Sequence, residues 1–352
     1  MTPYRLTVPP TWLYNAHATA ALELRDDVIE GMRVLDPAMR PIKATLIHNP
    51  ISGPRRRRQE IQAAAEYLTG RGWAITWAET RAAGHATRLA HDAVGDRSDL
   101  VIVAGGDGTI NEAINGLAGT AMPLGILPAG TANVWALQIG IPVRGGLMDA
   151  ARILAAGNTK LVDLGQAGDR YFILAAGIGL DGQVTEQMAR LKRRGVPLYV
   201  LTALQVAAHY HGVESTITID GRPVTIPLLW LVLGNLQLYG AILRIAAQAK
   251  LDDGLLDAVV FRGKTAASLL PSAANILSGG RLRVSQVAYY HAAEVQIRSR
   301  VPLPIHVDAE FIGYTPCTFR AAPHSLRMIV PADLPSTLFQ DRSVDRLPIH
   351  SP

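Results

Sequence analysis

The sequence predicts an α/β domain built on a parallel sheet with helices on both faces, followed by a mainly antiparallel, β-rich domain of the sandwich type. Two observations support this prediction. Between residues 41 and 157, short apolar runs alternate with segments of helical periodicity, a pattern typical of parallel sheets covered on both faces. After residue 157, apolar runs follow one another closely, and the segment TIDGRPV carries the Asp-Gly signature of a hairpin.

The first domain is predicted to alternate strands and helices. Apolar runs indicate the strands, and apolar residues recurring at helical spacing indicate the helices. Ligands of such sheets bind at the carboxyl ends of the strands, where HNPISG, AET, GGDGT and PAGTAN lie. In chain order the segments are IKATLIHNP (strand), RRRRQEIQAAAEYL (helix), WAITWAET (strand), HATRLAHDAV (helix), DLVIVAGG (strand), TINEAINGLAG (helix), PLGILPAG (strand) and TANVWALQIG (helix).

The second domain is predicted from strands in quick succession. They are TKLVDLGQAG, RYFILAAGIG, STITIDGRPVTI, LLWLVLGN, LLDAVVFRG, RVSQVAYYHAAEVQIRS and PIHVDAEFI, with two helices near residues 181–210 and one near 264–278. The predicted organisation is an extension of unknown role at 1–40, a first domain at 41–157, a second domain at 158–332 and a polar tail at 333–352.

Composition limits the classes of partner. The formal charge of +5 and the pI of about 9.4 favour an anionic partner, whether nucleotide, acidic lipid or nucleic acid, with a solvated basic surface as the alternative. Nucleic acid is not expected, because aromatic residues amount to only 6% and are not interleaved with basic ones. The single cysteine, Cys317, excludes an internal disulfide and fits a reducing compartment, so a cytoplasmic location is expected.

One apolar segment has the length of a membrane span. Residues 223–243 carry no charge, but Pro227, Gly234 and Gly240 interrupt the run, so we expect a buried strand and a loop in place of a transmembrane helix. Peripheral contact with the membrane is expected instead. Residues 192–194, Lys-Arg-Arg, precede an apolar helix and can contact anionic lipid headgroups.

The segment GGDGTINE, residues 105–112, indicates a phosphate site. Its three glycines let backbone N–H groups converge on phosphate oxygens, and a helix beginning near Thr109 adds its dipole. An acidic residue in a site for anions needs an explanation, and Asp107 has one if it holds Mg²⁺ next to the phosphates. The alternative interpretation of the motif is a tight turn in which the aspartate caps the helix. A Walker A loop is absent. A GxGxxG at residues 177–182 suggests a dinucleotide site only weakly, because no acid follows about 20 residues later.

Two further loops share the arrangement of a strand, a glycine and a helix start. PAGTAN places Thr131 and Asn133 at the beginning of a helix, and NPISG places Asn49 and Ser52 ahead of another. Three such loops at one edge of one sheet describe a nucleotide cradle.

As an ordered set, these motifs resemble the diacylglycerol kinase and sphingosine kinase type lipid kinases, especially the bacterial single-subunit branch. The set is NPISG, ET followed by GHA, GGDGTINE, PAGTAN, LDDGLLD at 251–257 and VDAE at 307–310, and the resemblance covers about residues 42–330. Soluble NAD kinases and phosphofructokinases share only the GGDG-type loop, and the first domain is expected to have their type of fold. The resemblance implies ATP- and Mg²⁺-dependent phosphoryl transfer to a lipid hydroxyl, with diacylglycerol as the default acceptor.

Residue by residue, the resemblance implies a catalytic group and an ATP site. Glu310 is the expected base with Asp308 beside it, although their roles could be reversed, and Asp107 would organise Mg²⁺. The implied ATP contacts are Asn49, Pro50, Ser52, Gly53, Thr80, Gly105, Gly106, Asp107, Gly108, Thr109, Asn111, Glu112 and Thr131.

The resemblance also implies a structural Mg²⁺ site in the second domain. Asp253 would bind the metal together with the backbone carbonyls of Lys250 and Leu255. An ordinary acidic turn is the alternative for this segment.

Two departures from the family pattern keep other functions open. The family's DGE is DAE here, and Ala309 occupies a position where glycine permits conformations that alanine resists. The glycine-rich stretch before the metal loop appears as YGAILRIAAQA. The alternatives are a catalytically silent relative that binds nucleotide or lipid, and a kinase of a soluble substrate of the NAD kinase type. The expected partners are ATP, a lipid substrate and the membrane surface, and a homodimer is left open.

Overall fold

The computed structural model describes residues 40–53, 57–143, 145–191, 196–239, 243–269 and 286–347. These residues, apart from 40 and 41, belong to one unit that spans Ile42–Pro352. The predictions for the N-terminal extension, for residues 192–194 and for most of the helix near 264–278 fall outside the described residues.

Four parallel strands form the sheet of the α/β part, in the order β2-β1-β3-β4. Every residue of β3 and β4 is buried, because helices cover both faces of these strands. This architecture confirms the predicted fold class. The strands are β1 Ile42–His48, β2 Trp73–Glu79, β3 Leu100–Gly105 and β4 Leu124–Pro128; the helices are α1 Arg57–Thr69, α2 His85–Gly95, α3 Asp107–Leu117, α4 Val134–Gln138 and α5 Met148–Ala156.

The helix predicted for TANVWALQIG is shorter than expected. It comprises only α4, because Asn133 adopts a positive φ of 51° and its buried side chain bonds both the N–H and the carbonyl of Gly130. The PAGTAN segment is therefore a loop. Helix α5 was not predicted; its apolar residues Ala150, Ala151 and Leu154 are buried in the same core as β3 and β4.

The β-rich part consists mainly of antiparallel strands, as predicted. Its helices are α6 Leu180–Arg190 and α7 Val196–His209, and a short 3-10 turn spans Ala266–Leu269. The strands are β5 Asn158–Ala167, β6 Arg170–Phe172, β7 Ala175–Gly179, β8 Val213–Ile219, β9 Arg222–Gly234, β10 Leu238–Tyr239, β11 Leu243–Arg244, β12 Leu256–Arg262, β13 Val287–Ala292, β14 Glu294–Ser299, β15 Pro304–Val307, β16 Glu310–Tyr314, β17 Cys317–Ile329 and β18 Asp345–Arg346.

Three segments predicted as single strands are each divided. RYFILAAGIG forms β6 and β7, and PIHVDAEFI forms β15 and the start of β16, which pair as a hairpin. RVSQVAYYHAAEVQIRS contributes β13, which pairs with β12, and β14, which pairs with β8 and β17. The apolar segment 223–243 contributes the long strand β9, as expected, and not a helix. Among the described helices, none combines the length and apolar character that crossing a bilayer requires.

Strand β17 connects the two parts of the sheet. Its start pairs with β14, its length pairs with β5, and Met328 near its end pairs in parallel with Leu124 of β4. Phe319 on this strand belongs to the core of the β-rich part, whereas Met328 belongs to that of the α/β part. The chain after β17 returns to the α/β core, where Phe339 is buried, so residues of the expected polar tail pack against the first core.

Candidate active site

The loops that follow β1, β3 and β4 lie together at the carboxyl edge of the parallel strands. The side-chain amide of Asn49, after β1, donates to Oγ1 of Thr109 at 3.0 Å and joins the NPISG loop to the GGDGT loop. A Cβ atom on Gly53 would lie 2.1 Å from the carbonyl oxygen of Ala129, so the NPISG and PAGTAN loops also pack closely. The three motifs that the sequence analysis singled out therefore form one continuous surface.

Asp107 joins the GGDGT and PAGTAN loops. Its carboxylate accepts the backbone N–H groups of Val134 and Trp135, each at 3.1 Å, and so caps the short helix α4. Burial raises the pKa of Asp107, and these N–H donors act in the opposite direction. The loops also touch directly, since a Cβ atom on Gly130 would lie 2.3 Å from Cα of Gly106. The acid in this motif thus has a structural role between loops, and its role toward Mg²⁺ stays a prediction.

Other predicted ATP contacts surround these loops. Oε2 of Glu112 accepts the N–H of Ala86 at 3.1 Å, which ties α3 to the first turn of α2 in the GHA motif. The N–H of Thr80 donates to the carbonyl of His48 at 2.9 Å, so the end of β2 stays beside the end of β1. The surface of the three loops exposes Pro50, Gly108 and Thr131.

Four N–H donors hold the carboxylate of Asp308. Its Oδ1 accepts from the backbone of Leu174 and Ala175, and its Oδ2 accepts from the backbone of Ile173 and the side-chain amide of Asn111, at 2.6 to 3.1 Å. Burial raises the pKa of Asp308 to about 6, although the backbone donors lower it. Because each oxygen already accepts two hydrogen bonds, this carboxylate fastens the turn between β15 and β16 to helix α3 and to the start of β7.

Asp308 and Ala309 form the two-residue turn between β15 and β16, with φ values of 47° and 63°. Two successive left-handed residues are typical of tight hairpin turns, and glycine adopts this conformation most readily. Glu310 follows directly; its side chain is 50% exposed and contacts the guanidinium of Arg170. Of the two acids in the DAE motif, Glu310 is therefore the accessible one.

Arg170 and Asn115 belong to the site but were missed by the sequence analysis. Asn115 of α3 accepts the N–H of Tyr171 at 2.9 Å and donates to its carbonyl at 3.0 Å, which fixes β6 and brings the adjacent Arg170 to Glu310. These contacts join distant parts of the chain, so no local pattern reveals which residues are paired. One signal was available, because Asn111 and Asn115 are four residues apart and form a polar stripe on one face of a buried helix.

The predicted metal residues in the β-rich part lie together at a cavity of about 560 Å³, which Lys250, Asp253 and Leu255 help to line. Oδ1 of Asp253 accepts the N–H of Leu255 at 3.0 Å, as in an acidic turn, and burial raises its pKa. Asp163 accepts the backbone N–H groups of Gly254 and His324, at 2.6 and 2.7 Å. In the described ranges, no three His, Cys, Asp or Glu side chains are grouped as metal ligands. One carboxylate with two backbone carbonyls remains compatible with Mg²⁺, which prefers oxygen ligands and retains waters.

A buried polar cluster lies between β15 and α6. His306 contacts Asp181, and the hydroxyl of Tyr239 contacts both, while the hydroxyl of Tyr199 donates to Asp181 at 2.7 Å. The first glycine of the GxGxxG, Gly177, lies against this cluster, since a Cβ atom there would be 2.2 Å from Nε2 of His306. The glycine accommodates packing between β7 and β15.

The chain matches two protein-family models. Residues 43–167 match the diacylglycerol kinase catalytic domain, and residues 175–330 match the YegS C-terminal NAD kinase beta sandwich-like domain. The chain is similar to a diacylglycerol kinase of Bacillus subtilis, with 28% identity over 83% of this chain and 97% of the relative. A diacylglycerol kinase of Staphylococcus aureus is 29% identical over 83% of this chain and 93% of its own. A crystal structure of a Bacillus anthracis diacylglycerol kinase superposes with a TM-score of 0.66 at 22% identity, over 84% of this chain and 98% of that one, and shows the same fold.

Proposed function

The chain belongs to the diacylglycerol kinase family, and from this premise we propose that it is an ATP- and Mg²⁺-dependent kinase that phosphorylates a lipid hydroxyl. The arrangement around α3 carries the proposal. This helix begins in the GGDGT loop, and the side chain of Asn111 within it donates to Asp308, in the turn that presents Glu310. Helix α3 therefore connects a helix N-terminus that is suited to binding phosphate with the turn that carries an accessible carboxylate.

We assign ATP to the surface of the three loops. Asn111 is reassigned to a positioning role, because its amide donates to Asp308 and to the carbonyl of Tyr171. Each carboxylate oxygen of Asp107 accepts one N–H and keeps a lone pair for the water shell of Mg²⁺. Mg²⁺ bound with ATP neutralises phosphate charge. The proposed ATP contacts are Asn49, Pro50, Ser52, Gly53, Thr80, Gly105, Gly106, Gly108, Thr109, Glu112 and Thr131.

We assign the role of general base to Glu310. It accepts the proton of the lipid hydroxyl while that oxygen bonds to the γ-phosphorus, the bond from the γ-phosphorus to the β–γ bridging oxygen breaks, and ADP leaves. Asp308 is a positioning residue, because both of its oxygens are occupied by N–H donors. The guanidinium of Arg170 orients Glu310, and its planar group has further donors for phosphoryl oxygens.

The proposed acceptor is diacylglycerol, because the similar proteins of Bacillus subtilis and Staphylococcus aureus are diacylglycerol kinases. Sphingoid bases, ceramide or another lipid alcohol would use the same chemistry. A lipid acceptor also implies peripheral contact with the membrane. The group at Asp253, Lys250 and Leu255 is proposed as a structural Mg²⁺ site that stabilises the loop before β12.

The alanine in the DAE motif was the reason to consider a catalytically silent relative. In the structure, Ala309 adopts a φ of 63°, the hairpin is formed, and Glu310 is exposed. These observations favour an active enzyme over the silent relative.

The test is transfer of labelled γ-phosphate from Mg·ATP into a chloroform extract of mixed bacterial lipids. We expect an organic-soluble labelled product from the wild type and at least a hundredfold less from Glu310→Gln, with unchanged ATP binding. The labelled species identifies the acceptor. Wild-type protein that binds ATP but labels no lipid would contradict the proposal. Labelling of NAD in detergent-free buffer would instead indicate a kinase of a soluble substrate.

A further inference from the structure

The chain that follows β17, residues 331–347, crosses the loop that precedes β12. We call these residues the C-terminal strap, and residues 250–255, which contain the proposed Mg²⁺ site, the metal loop. Lys250 donates from its ammonium group, and Leu251 from its backbone N–H, to carbonyls of the strap at 3.1 and 3.0 Å. The carboxylate of Asp252 accepts two backbone N–H groups of the strap at 2.8 and 2.9 Å. Three consecutive residues of the metal loop are therefore bonded to the strap.

The C-terminal strap is also fixed to the rest of the protein. Lys160, a buried lysine of β5, donates to the carboxylate of Asp341 at 2.9 Å and to the carbonyl of Ser343 at 3.0 Å. Leu338 and Phe339 of the strap are buried in the core of the α/β part. The matched C-terminal family domain ends at residue 330, before the strap begins. The strap is therefore a fixed structural addition to that domain.

The strap and the metal loop are walls of one cavity of about 560 Å³, which is large enough for a small ligand. Thr337 and Gln340 line it from the strap, and Lys250 and Asp253 line it from the metal loop. Gln237, which is buried, joins the walls, because its amide donates to one carbonyl of the strap at 2.6 Å and to one carbonyl just before the metal loop at 3.1 Å. The described residues that line the cavity belong neither to the proposed ATP surface nor to the DAE motif. The cavity is thus separate from the proposed active site.

The donors that line this cavity favour an anion. Arg244 of β11 contributes an exposed guanidinium that has no hydrogen bond or ion pair with another described residue. The ammonium group of Lys250 uses one donor for the strap and keeps two. Asp253 is the only acid among the described lining residues, and its charge is balanced when Mg²⁺ is bound there as proposed. The adjacent carboxylate of Asp252 is already bonded to two N–H groups.

A phosphate monoester matches this set of donors better than a carboxylate does. A planar guanidinium binds two phosphate oxygens at once, and an ammonium group adds a second positive charge. A phosphate monoester offers three acceptor oxygens and carries a charge of about −1.5 to −2 at neutral pH, whereas a carboxylate offers two oxygens and a single charge. The third oxygen matches the hydroxyl of Thr337 and the amide of Gln340, which line the same cavity.

We propose that the cavity between the metal loop and the C-terminal strap is a second binding site, which takes a phosphate monoester group on Arg244 and Lys250. This group is common to phosphorylated lipid headgroups and to soluble phosphorylated metabolites. The site does not depend on the proposed kinase function, because binding to it is measurable without catalysis.

The test is isothermal titration calorimetry of the full chain with sn-glycerol 3-phosphate, with Mg²⁺ and a saturating concentration of a non-hydrolysable ATP analogue to occupy the ATP surface. The variant is Arg244→Gln, and the matched control is Arg222→Gln, which removes another exposed arginine of the β-rich part. We expect the variant to lose at least tenfold in affinity, because a charged two-oxygen contact is lost, and the control to bind like the wild type. Circular dichroism should show all three proteins folded. The comparison of the two variants is valid whether or not the analogue binds.

Two further ligands and one further measurement make the test specific. Dihexanoyl phosphatidic acid that binds at least tenfold more tightly than glycerol 3-phosphate would assign the site to a lipid headgroup, and equal affinities would assign it to a soluble phosphate compound. Glycerol 3-phosphate should also slow amide hydrogen exchange of residues 334–341 by about threefold or more in the wild type but not in Arg244→Gln.

Four results would overturn the proposal. They are no measurable binding by the wild type, equal affinities of the wild type and Arg244→Gln, succinate binding as tight as that of glycerol 3-phosphate, and unchanged hydrogen exchange in the strap of the ligand-bound wild type. None of them bears on lipid phosphorylation, so the proposed kinase function would stand or fall separately.

Discussion

Replacing Asp308 with alanine tests whether this carboxylate positions the site or takes part in the chemistry. The change removes the acceptor of four N–H groups, those of Ile173, Leu174, Ala175 and the Asn111 side chain. Leaving a buried donor without an acceptor costs about 1 kcal/mol or more. Four donors give roughly 4 kcal/mol, and water entering at the partly exposed turn reduces the loss to about 2 to 4 kcal/mol. We expect a folded but clearly destabilised protein.

The assay is urea unfolding followed by circular dichroism at pH 8, above the pKa of about 6 that burial gives Asp308. Glu310→Ala is the matched control. Its side chain is half exposed and contacts Arg170, so the free energy of unfolding should change by no more than about 0.5 kcal/mol while kcat collapses. If Asp308→Ala keeps wild-type stability and still loses kcat, then Asp308 acts in the chemistry and its assignment as a positioning residue is refuted.

Three further changes and one pH dependence are expected. Ala309→Gly should raise the free energy of unfolding by about 0.5 to 1 kcal/mol, because glycine adopts the left-handed φ of 63° without the strain that alanine has there. The greater conformational entropy of glycine in the unfolded chain offsets part of this gain. A lower thermal midpoint would contradict the prediction. Arg170→Met should lower kcat about tenfold with little change in KM for ATP, and Arg170→Lys should recover part of it; equal losses would argue against orientation of Glu310 by the guanidinium. Asp107→Asn should lower stability by about 1 kcal/mol and raise KM for ATP, since one acceptor of the α4 cap is lost; unchanged values of both would contradict its role between the loops. Burial raises the pKa of Asp257 and that of Asp308 to about 6, above the ordinary 3.8, so the folded protein binds more protons between those values and its stability should fall as pH rises through that window, by at most about 3 kcal/mol for each carboxyl. Urea unfolding across pH 4 to 7 checks this, and Asp257→Asn should remove the share of the slope that belongs to Asp257.

The elements of the α/β part could be predicted because their signals are local. The apolar run LVIVAG predicts the buried strand β3 from its own residues alone. The division of RVSQVAYYHAAEVQIRS into β13 and β14 has no such signal. It occurs at Ala293, whose N–H donates to Asp220 in the β8–β9 turn, at the point where the chain changes pairing partner. Strand breaks of this kind depend on which distant strand lies alongside.

The different roles of the acidic residues in the site could not be predicted from the sequence either. The GGDG motif marked Asp107 as a candidate for metal binding, and the family resemblance marked Asp308 and Glu310 as candidates for proton transfer. The structure gives each acid a different set of neighbours: Asp107 accepts two N–H groups of α4, Asp308 accepts four N–H groups, and Glu310 contacts a cation at the surface. The donor that distinguishes Asp308, the amide of Asn111, lies 197 residues away in sequence. GGDGTINE and DAE, which read as two separate motifs, therefore form one hydrogen-bonded unit, in which the first acid holds two loops together, the second holds the hairpin, and the third stays exposed beside Arg170.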